Sequence, residues 1–314
     1  MANSTTPVAA AAAAADAVSE TIRTQPTYHL LLVCPSGISR AQLEVDFSPV
    51  YDREPHPDLE LEKRIEMTWE QRVAKQPSLY NGTKFRYGGY NRAKAGEGMT
   101  VSSETVCLHL GLTDYKTFLG TNLSAEWDRF LVPVPEDVDR CKHMASPLGN
   151  GAIVETVDRH VLVLQRSSNV GEFPGHLVFP GGHSEPQEVG IEGHIGDSVE
   201  FDKNEINQRI ALEMFEGLIR EVVEETGVPA TCLCEPLFIG ISQRLVNVRP
   251  TAFFYVKCTI SSSQVQEFYQ CATDGFESTH LLAIPKAELL TEANKMPGCH
   301  QGGAVLYDLM TKLA

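Results

Sequence analysis

The run Arg220-Glu221-Val222-Val223-Glu224-Glu225-Thr226-Gly227-Val228 constrains this chain more than any other stretch. It continues a helical pattern that is already established over Glu213-Met214-Phe215-Glu216-Gly217-Leu218-Ile219. Positions three and four apart share one face of a helix, so Glu221, Glu224 and Glu225 are predicted side by side. Met214, Phe215, Leu218, Ile219 and Val222 form an apolar stripe on another side. Crowded carboxylates repel one another unless a cation neutralises them. Hard divalent ions such as Mg²⁺ take oxygen ligands and are held through one or two carboxylates plus substrate phosphates. A solvated acidic helix end is the alternative for an E-x-x-E-E taken alone. Gly227 supplies the left-handed residue that stops the helix.

The flanking residues favour the metal site. Arg220 and Gly227 stand in fixed register with the three acids, and a glycine turn, Pro180-Gly181-Gly182-His183, lies upstream. This constellation resembles the second half of the Nudix box, whose pattern ends Arg-Glu-U-x-Glu-Glu-x-Gly-U with U aliphatic. All seven specified positions match. The first half departs. The box's opening glycine corresponds to Gly182, thirty-eight positions before Arg220 where the pattern has fourteen, so about two dozen residues are inserted. The position eight before Arg220 is Leu212, and the acid is at Glu213. An interrupted box behind a long N-terminal region is similar to the Nudix type 22 group of UDP-sugar hydrolases. Lys84-Phe85-Arg86, Leu110-Gly111-Leu112-Thr113-Asp114-Tyr115, Phe118-Leu119-Gly120-Thr121-Asn122 and Glu277-Ser278-Thr279 carry the likeness further. It covers nearly the whole chain after about residue 28.

Composition narrows the partners. With 314 residues and 42% hydrophobic content, the chain has enough material for one large or two modest domains. A net charge of -15 argues against nucleic acid or an anionic membrane as partner. No apolar run reaches the ~20 residues that a membrane span needs. The Ala9–Ala15 tract lacks the basic flank of a signal peptide. The eight cysteines show no C-x-x-C pairing, and Cys232-x-Cys234 is the one close pair, which suits reduced thiols and a cytoplasmic setting. Nothing in the sequence specifies an oligomeric state.

Three regions are expected: a disordered tail over 1–26, a smaller β-rich N-terminal domain over 27–147 that adds walls to the substrate site, and a Nudix domain over 148–314. In the β-rich domain, Tyr28–Cys34 reads as a buried strand and Leu43–Phe47 as its partner by period-two alternation. Leu61, Ile65, Trp69 and Val73 predict an amphipathic helix over Leu59–Ala74. Lys84–Tyr87 and Thr105–Leu112 read as paired strands. In the Nudix domain, His160–Ser167, Pro236–Ile241 and Thr251–Cys258 read as strands and Ser262–Gln270 as a helix. Residues 184–207 read as a surface excursion. The resemblance implies an α/β (α+β) fold, a Nudix α/β/α sandwich with a mixed sheet.

The site follows from the motif. Glu221 and Glu225, one turn apart, are the expected ligands of Mg²⁺ or Mn²⁺. Glu224 is expected to bind a second ion or support the first, and Arg220 to hold the glutamates in place. Family members often place a general base on a later loop, and Glu277 is the candidate, with a solvated loop glutamate as the other reading. Arg166, at the end of a strand, suits bidentate anion contact, and His183 suits donation to a diphosphate. Tyr80 and Tyr115 are candidates to stack on a nucleoside, with core packing as the competing role. The resemblance implies metal-dependent hydrolysis of the diphosphate linkage of a nucleotide sugar such as UDP-glucose or UDP-galactose. Nucleoside monophosphate and sugar 1-phosphate would be the products. The alternatives are another nucleoside diphosphate derivative (GDP-sugar, ADP-ribose, dinucleotide or CoA) or a non-catalytic nucleotide-binding sensor.

Overall fold

The computed structural model describes residues 27–94, 104–135, 137–168, 172–194, 203–270 and 278–313. The expected tail over 1–26 lies outside the described residues. In chain order the strands are β1 (Tyr28–Ile38), β2 (Leu43–Phe47), β3 (Thr83–Lys94), β4 (Glu104–Asp114), β5 (Gly149–Glu155), β6 (His160–Arg166), β7 (Leu177–Val178), β8 (Leu237–Arg244), β9 (Pro250–Lys257) and β10 (Ser278–Pro285). The main helices are α1 (Leu59–Lys75), α2 (Tyr115–Gly120), α3 (Lys203–Thr226), α4 (Ser262–Tyr269) and α5 (Gly298–Leu313).

The larger sheet runs β1-β8-β9-β5-β6-β10, with β7 also on β6, and the smaller runs β2-β4-β3. Both are mixed, because β5 pairs with β9 and β2 with β4 in parallel while the remaining pairs are antiparallel. Period-two alternation divides the larger sheet between two cores. Ile153, Val161, Val163 and Phe253 face α5 with Leu306, Tyr307 and Met310. Ala152, Val154, Leu162, Leu164 and Phe254 face α3 with Met214, Phe215, Leu218 and Val222, and the smaller sheet joins this second core. The result is a layered α/β sandwich.

One expectation about the N-terminal region changes. Leu43–Phe47 does not pair with β1: it pairs with β4, and β1 pairs with β8 of the larger sheet. The reason lies in burial. Leu32 and Cys34 of β1 belong to one core while Leu30 and Val33 pack against the other, so β1 needs a sheet covered on both faces. In β2 Leu43 and Val45 are buried and Glu44 is exposed, which suits a sheet covered on one face. The larger sheet therefore draws strands from both sides of residue 148.

The stretch 184–207 is also not simply a surface excursion. Val189 and Ile191 are buried in the α3 core, and α3 begins at Lys203, which makes it 24 residues long. His194 Nε2 lies 2.8 Å from Asp52 Oδ1, and its ring stacks on Phe47 at 4.7 Å. Residues 195–202 lie outside the described residues.

Candidate active site

The glycine turn and α3 are fitted to each other. Gly181 adopts φ 145°, and a Cβ there would sit 3.0 Å from the carbonyl carbon of Asn150 and closer still to its oxygen. Only glycine tolerates both conditions. The turn is laced onto β5, with Ala152 N donating to Pro180 O at 2.7 Å and Asn150 N to Gly182 O at 2.9 Å. Gly181 N then donates to Glu225 Oε2 at 2.8 Å. A Cβ on Gly182 would lie 2.6 Å from Cδ of Glu221 and closer still to its Oε1. Two successive glycines thus admit two carboxylates one helical turn apart. At the far end α3 stops as expected: Gly227 has φ 71°, and its N–H donates to Val223 O at 2.8 Å.

The trio expected from helical spacing is divided by burial. Glu225 is buried and Glu221 half-buried, both against the turn, whereas Glu224 is exposed. Arg220 braces an acid, and that acid is Glu213, with Nη2 to Oε1 at 2.5 Å. This hydrogen bond is the chief reason that the guanidinium pKa is raised. Glu213 is buried while Leu212 is exposed, so the one-residue shift read in the sequence places the acid on the inner face. Gly217 leaves room for it, because a Cβ there would meet Glu213 Oε1 at 2.6 Å.

Beside the turn lies a cleft of about 450 Å³. Gly181, Gly182, His183 and Glu225 line one part. Arg166, Glu172, Arg249 and His300 line another, and Tyr80, Lys84, Tyr115, Phe118 and Leu119 of the N-terminal half close it over. Five sequence-predicted residues therefore meet there: Tyr80, Tyr115, Arg166, His183 and Glu225. Tyr80 is exposed, and its hydroxyl accepts from Gln187 Nε2 at 2.8 Å. Tyr115 is half-buried with its ring edge-on to Trp69 at 6.4 Å, and burial raises its pKa. Arg166 Nε donates to the backbone carbonyl of Glu172 at 2.9 Å. Glu277, the candidate base, lies outside the described residues.

The polar side of the cleft holds groups that sequence reasoning missed. Glu172 bridges two guanidiniums, Arg244 at 2.5 Å and Arg249 at 3.0 Å. Its carboxyl stays below the usual range because the charges of Arg249, Arg244 and Arg166 outweigh the opposing effect of burial. Arg249 Nη2 lies 2.8 Å from His183 Nε2, and since a guanidinium only donates, His183 accepts there. Burial, then the charges of Arg249 and Lys84, push the His183 pKa well below its ordinary value. His300 Nδ1 likewise accepts from Phe179 N at 3.1 Å, and burial takes its pKa down to about 3. No periodicity announces Glu172, Arg249 or His300. The sequence contained one signal: Lys84, in a segment already singled out, lines the cleft and pairs with Glu185 at 2.5 Å.

Among the described residues, no three His, Cys, Asp or Glu side chains converge as a ready-made metal cage. A hard six-coordinate ion needs none, since one or two carboxylates suffice when substrate oxygens and water fill the remaining positions. Glu221 and Glu225 offer that donor set beside a turn whose missing Cβ atoms leave space. The seven cysteines among the described residues are free thiols. Among the described residues, no helix is long and apolar enough to cross a membrane.

Comparison with known proteins places the chain. Nudix hydrolase 9 of Arabidopsis thaliana is 54% identical over 283 residues, covering 90% of this chain and 91% of that protein. Uridine diphosphate glucose pyrophosphatase NUDT22 of Bos taurus is 36% identical over 84% of this chain and 89% of its own length, and that of Homo sapiens 35% over 82% and 83%. Among solved structures, the MutT protein of Methanosarcina mazei aligns over 52% of this chain and 94% of its own, at 16% identity and a TM-score of 0.34. No family model matches. A relative more than half identical across nine-tenths of both chains settles the matter, and this chain belongs to the Nudix hydrolases.

Proposed function

We propose that the chain hydrolyses the diphosphate linkage of a nucleotide sugar with the help of Mg²⁺ or Mn²⁺, releasing a nucleoside monophosphate and a sugar 1-phosphate. The observation that carries this reading is the change of sign along one turn. Carboxylates stand against Gly181 and Gly182, while the next residue, His183, meets a guanidinium. The relatives named as UDP-glucose pyrophosphatases support the choice of substrate. A divalent ion bound at Glu221 and Glu225 would neutralise phosphate oxygens and acidify a water.

The chain's own residues do the rest. Arg166 and His183 present donors to the diphosphate, which holds the reacting phosphorus in place. Because His183 is neutral and accepts at Nε2, its proton is on Nδ1, and the ring donates throughout the neutral range. Tyr80 and Tyr115, with Phe118, give the aromatic faces against which a base and ribose pack. Glu224 supports the ion from the solvent side, and Glu277 is the proposed base that takes the proton of the attacking water. The chain acts on a small anionic substrate, in the cytoplasm.

The test is product analysis with Mg²⁺ across a panel of UDP-glucose, UDP-galactose, a GDP-sugar, ADP-ribose, a dinucleotide and CoA. UDP-sugars should give the highest kcat/KM, with UMP and sugar 1-phosphate as products. Faster turnover of another member of the panel would reassign the substrate. No turnover of any would leave a nucleotide-binding sensor.

A further inference from the structure

The cationic end of the cleft is assembled from five separate stretches of chain, and its members fix one another. Glu172 holds Arg249 through Nη1 at 3.0 Å and Arg244 through Nη2 at 2.5 Å, and its backbone carbonyl holds Arg166 Nε at 2.9 Å. One carboxylate therefore faces three guanidiniums, all of which act on its charge. Arg249 is further confined by its approach to the Phe118 ring, 5.6 Å from the centroid, and to Gly149, where a Cβ would lie 3.0 Å from Nη2. Its Nε is buried without a partner among the described residues. On either side stand two imidazoles whose tautomers are set by groups that can only donate: Arg249 for His183 and the Phe179 backbone N–H for His300. Each ring thus keeps one N–H, and both rings line the cleft.

We propose that Arg249 and His300 complete, with Arg166 and His183, a subsite for the phosphate groups of the substrate that works without metal, and that Glu172 is its positioning residue. The ligand class is a diphosphate or phosphate monoester dianion. A surplus of guanidinium over carboxylate favours two negative charges, and a fixed planar fork matches phosphate oxygens. Burial keeps both imidazoles neutral, so they add donors and no further charge. Glu172 acts through Arg249: without its carboxylate, the guanidinium loses the contact that aims it at His183. The inference rests on the diphosphate reading above, but not on which base or sugar is attached.

The experiment is calorimetric titration of the full chain with inorganic pyrophosphate in EDTA, free of divalent ion. Wild type should bind. Arg249→Met should weaken binding at least tenfold, and Glu172→Gln several-fold. His300→Asn keeps an acceptor for the Phe179 N–H while removing the ring N–H, so it should melt close to wild type and still bind several-fold more weakly. With substrate and Mg²⁺, Glu172→Gln should raise KM by more than it lowers kcat, a split that general loosening of the fold does not give. Wild type that fails to bind pyrophosphate, or Arg249→Met and His300→Asn that bind it like wild type, overturns the subsite. A substrate panel that favours some other nucleoside diphosphate derivative would sink only the nucleotide-sugar reading.

Discussion

Gly182→Ala separates activity from stability, and the structure supplies its magnitude. Gly182 does not have a positive φ, so alanine meets no backbone strain there. The obstacle is a side chain: the new Cβ would lie 2.6 Å from Cδ of Glu221, whereas carbon atoms rest comfortably at ~3.5–4 Å. Either the methyl or the carboxylate must move by about 1 Å, and the carboxylate is the flexible end. A displacement of ~1 Å in a catalytic constellation costs on the order of 100-fold in rate. The same substitution lowers the entropy of the unfolded chain, which is worth ~0.4–1 kcal/mol in favour of the fold. The expected outcome is a kcat down by about two orders of magnitude with a melting temperature at or slightly above wild type. Steady-state kinetics on UDP-glucose with Mg²⁺ and a thermal melt measure both. Gly181→Ala is the contrast, because there the clash is with the Asn150 backbone at φ 145°, and it should cost fold and activity together. Wild-type kcat in Gly182→Ala would refute the claim that Glu221 works from against this turn.

Glu225→Gln keeps an oxygen to accept the Gly181 N–H and removes the charge, so turnover should fall at least ~100-fold while circular dichroism and melting stay near wild type. Glu277→Gln should lower kcat by ~10²–10⁴ with little change in substrate KM, measured across pH. Acid should destabilise the fold through its buried imidazoles. His300 has a folded pKa of about 3, below the ~6.5 of the unfolded chain, so the unfolded state binds the proton first. The stability is thus present above pH ~6.5 and is lost toward pH 3, at up to ~1.4 kcal/mol per pH unit. His300→Asn should flatten that slope in urea unfolding series between pH 6.5 and 4, and an unchanged slope would exclude His300 as its source.

The carboxylate half of the site was legible because it is local. Glu221 and Glu225 sit on one helix that Gly227 ends, and helical spacing alone puts the two acids within a turn of each other. The shifted acid at Glu213 could be read the same way, and it pairs with Arg220 inside α3. Of the cationic half only Arg166 and His183 were read, each as a single residue and not as part of a group. Arg166, Glu172, Arg249 and His300 come from a strand end, two loops and the first turn of the last helix, and only tertiary packing joins them. Strand existence followed from hydrophobic runs and alternation, but pairing did not, since β1 finds its partner β8 some two hundred residues onward. The buried Val189 and Ile191 were missed inside a stretch rich in glycine and acids, where two isolated apolar residues give no period.

That long-range pairing has a consequence for how the enzyme comes into being. β1 is the first described strand, α5 is the last described helix, and they touch: a Cβ on Gly302 would lie 2.9 Å from the Tyr28 ring, and one on Gly298 2.9 Å from the carbonyl carbon of Thr27, just ahead of β1. His300 enters the cleft from this same helix. A nascent chain on the ribosome therefore leaves β1 without its partner until β8 has been made, and His300 can join the cleft only after α5 emerges. Premature termination before that helix would yield a polypeptide carrying every glutamate of the motif and no working enzyme.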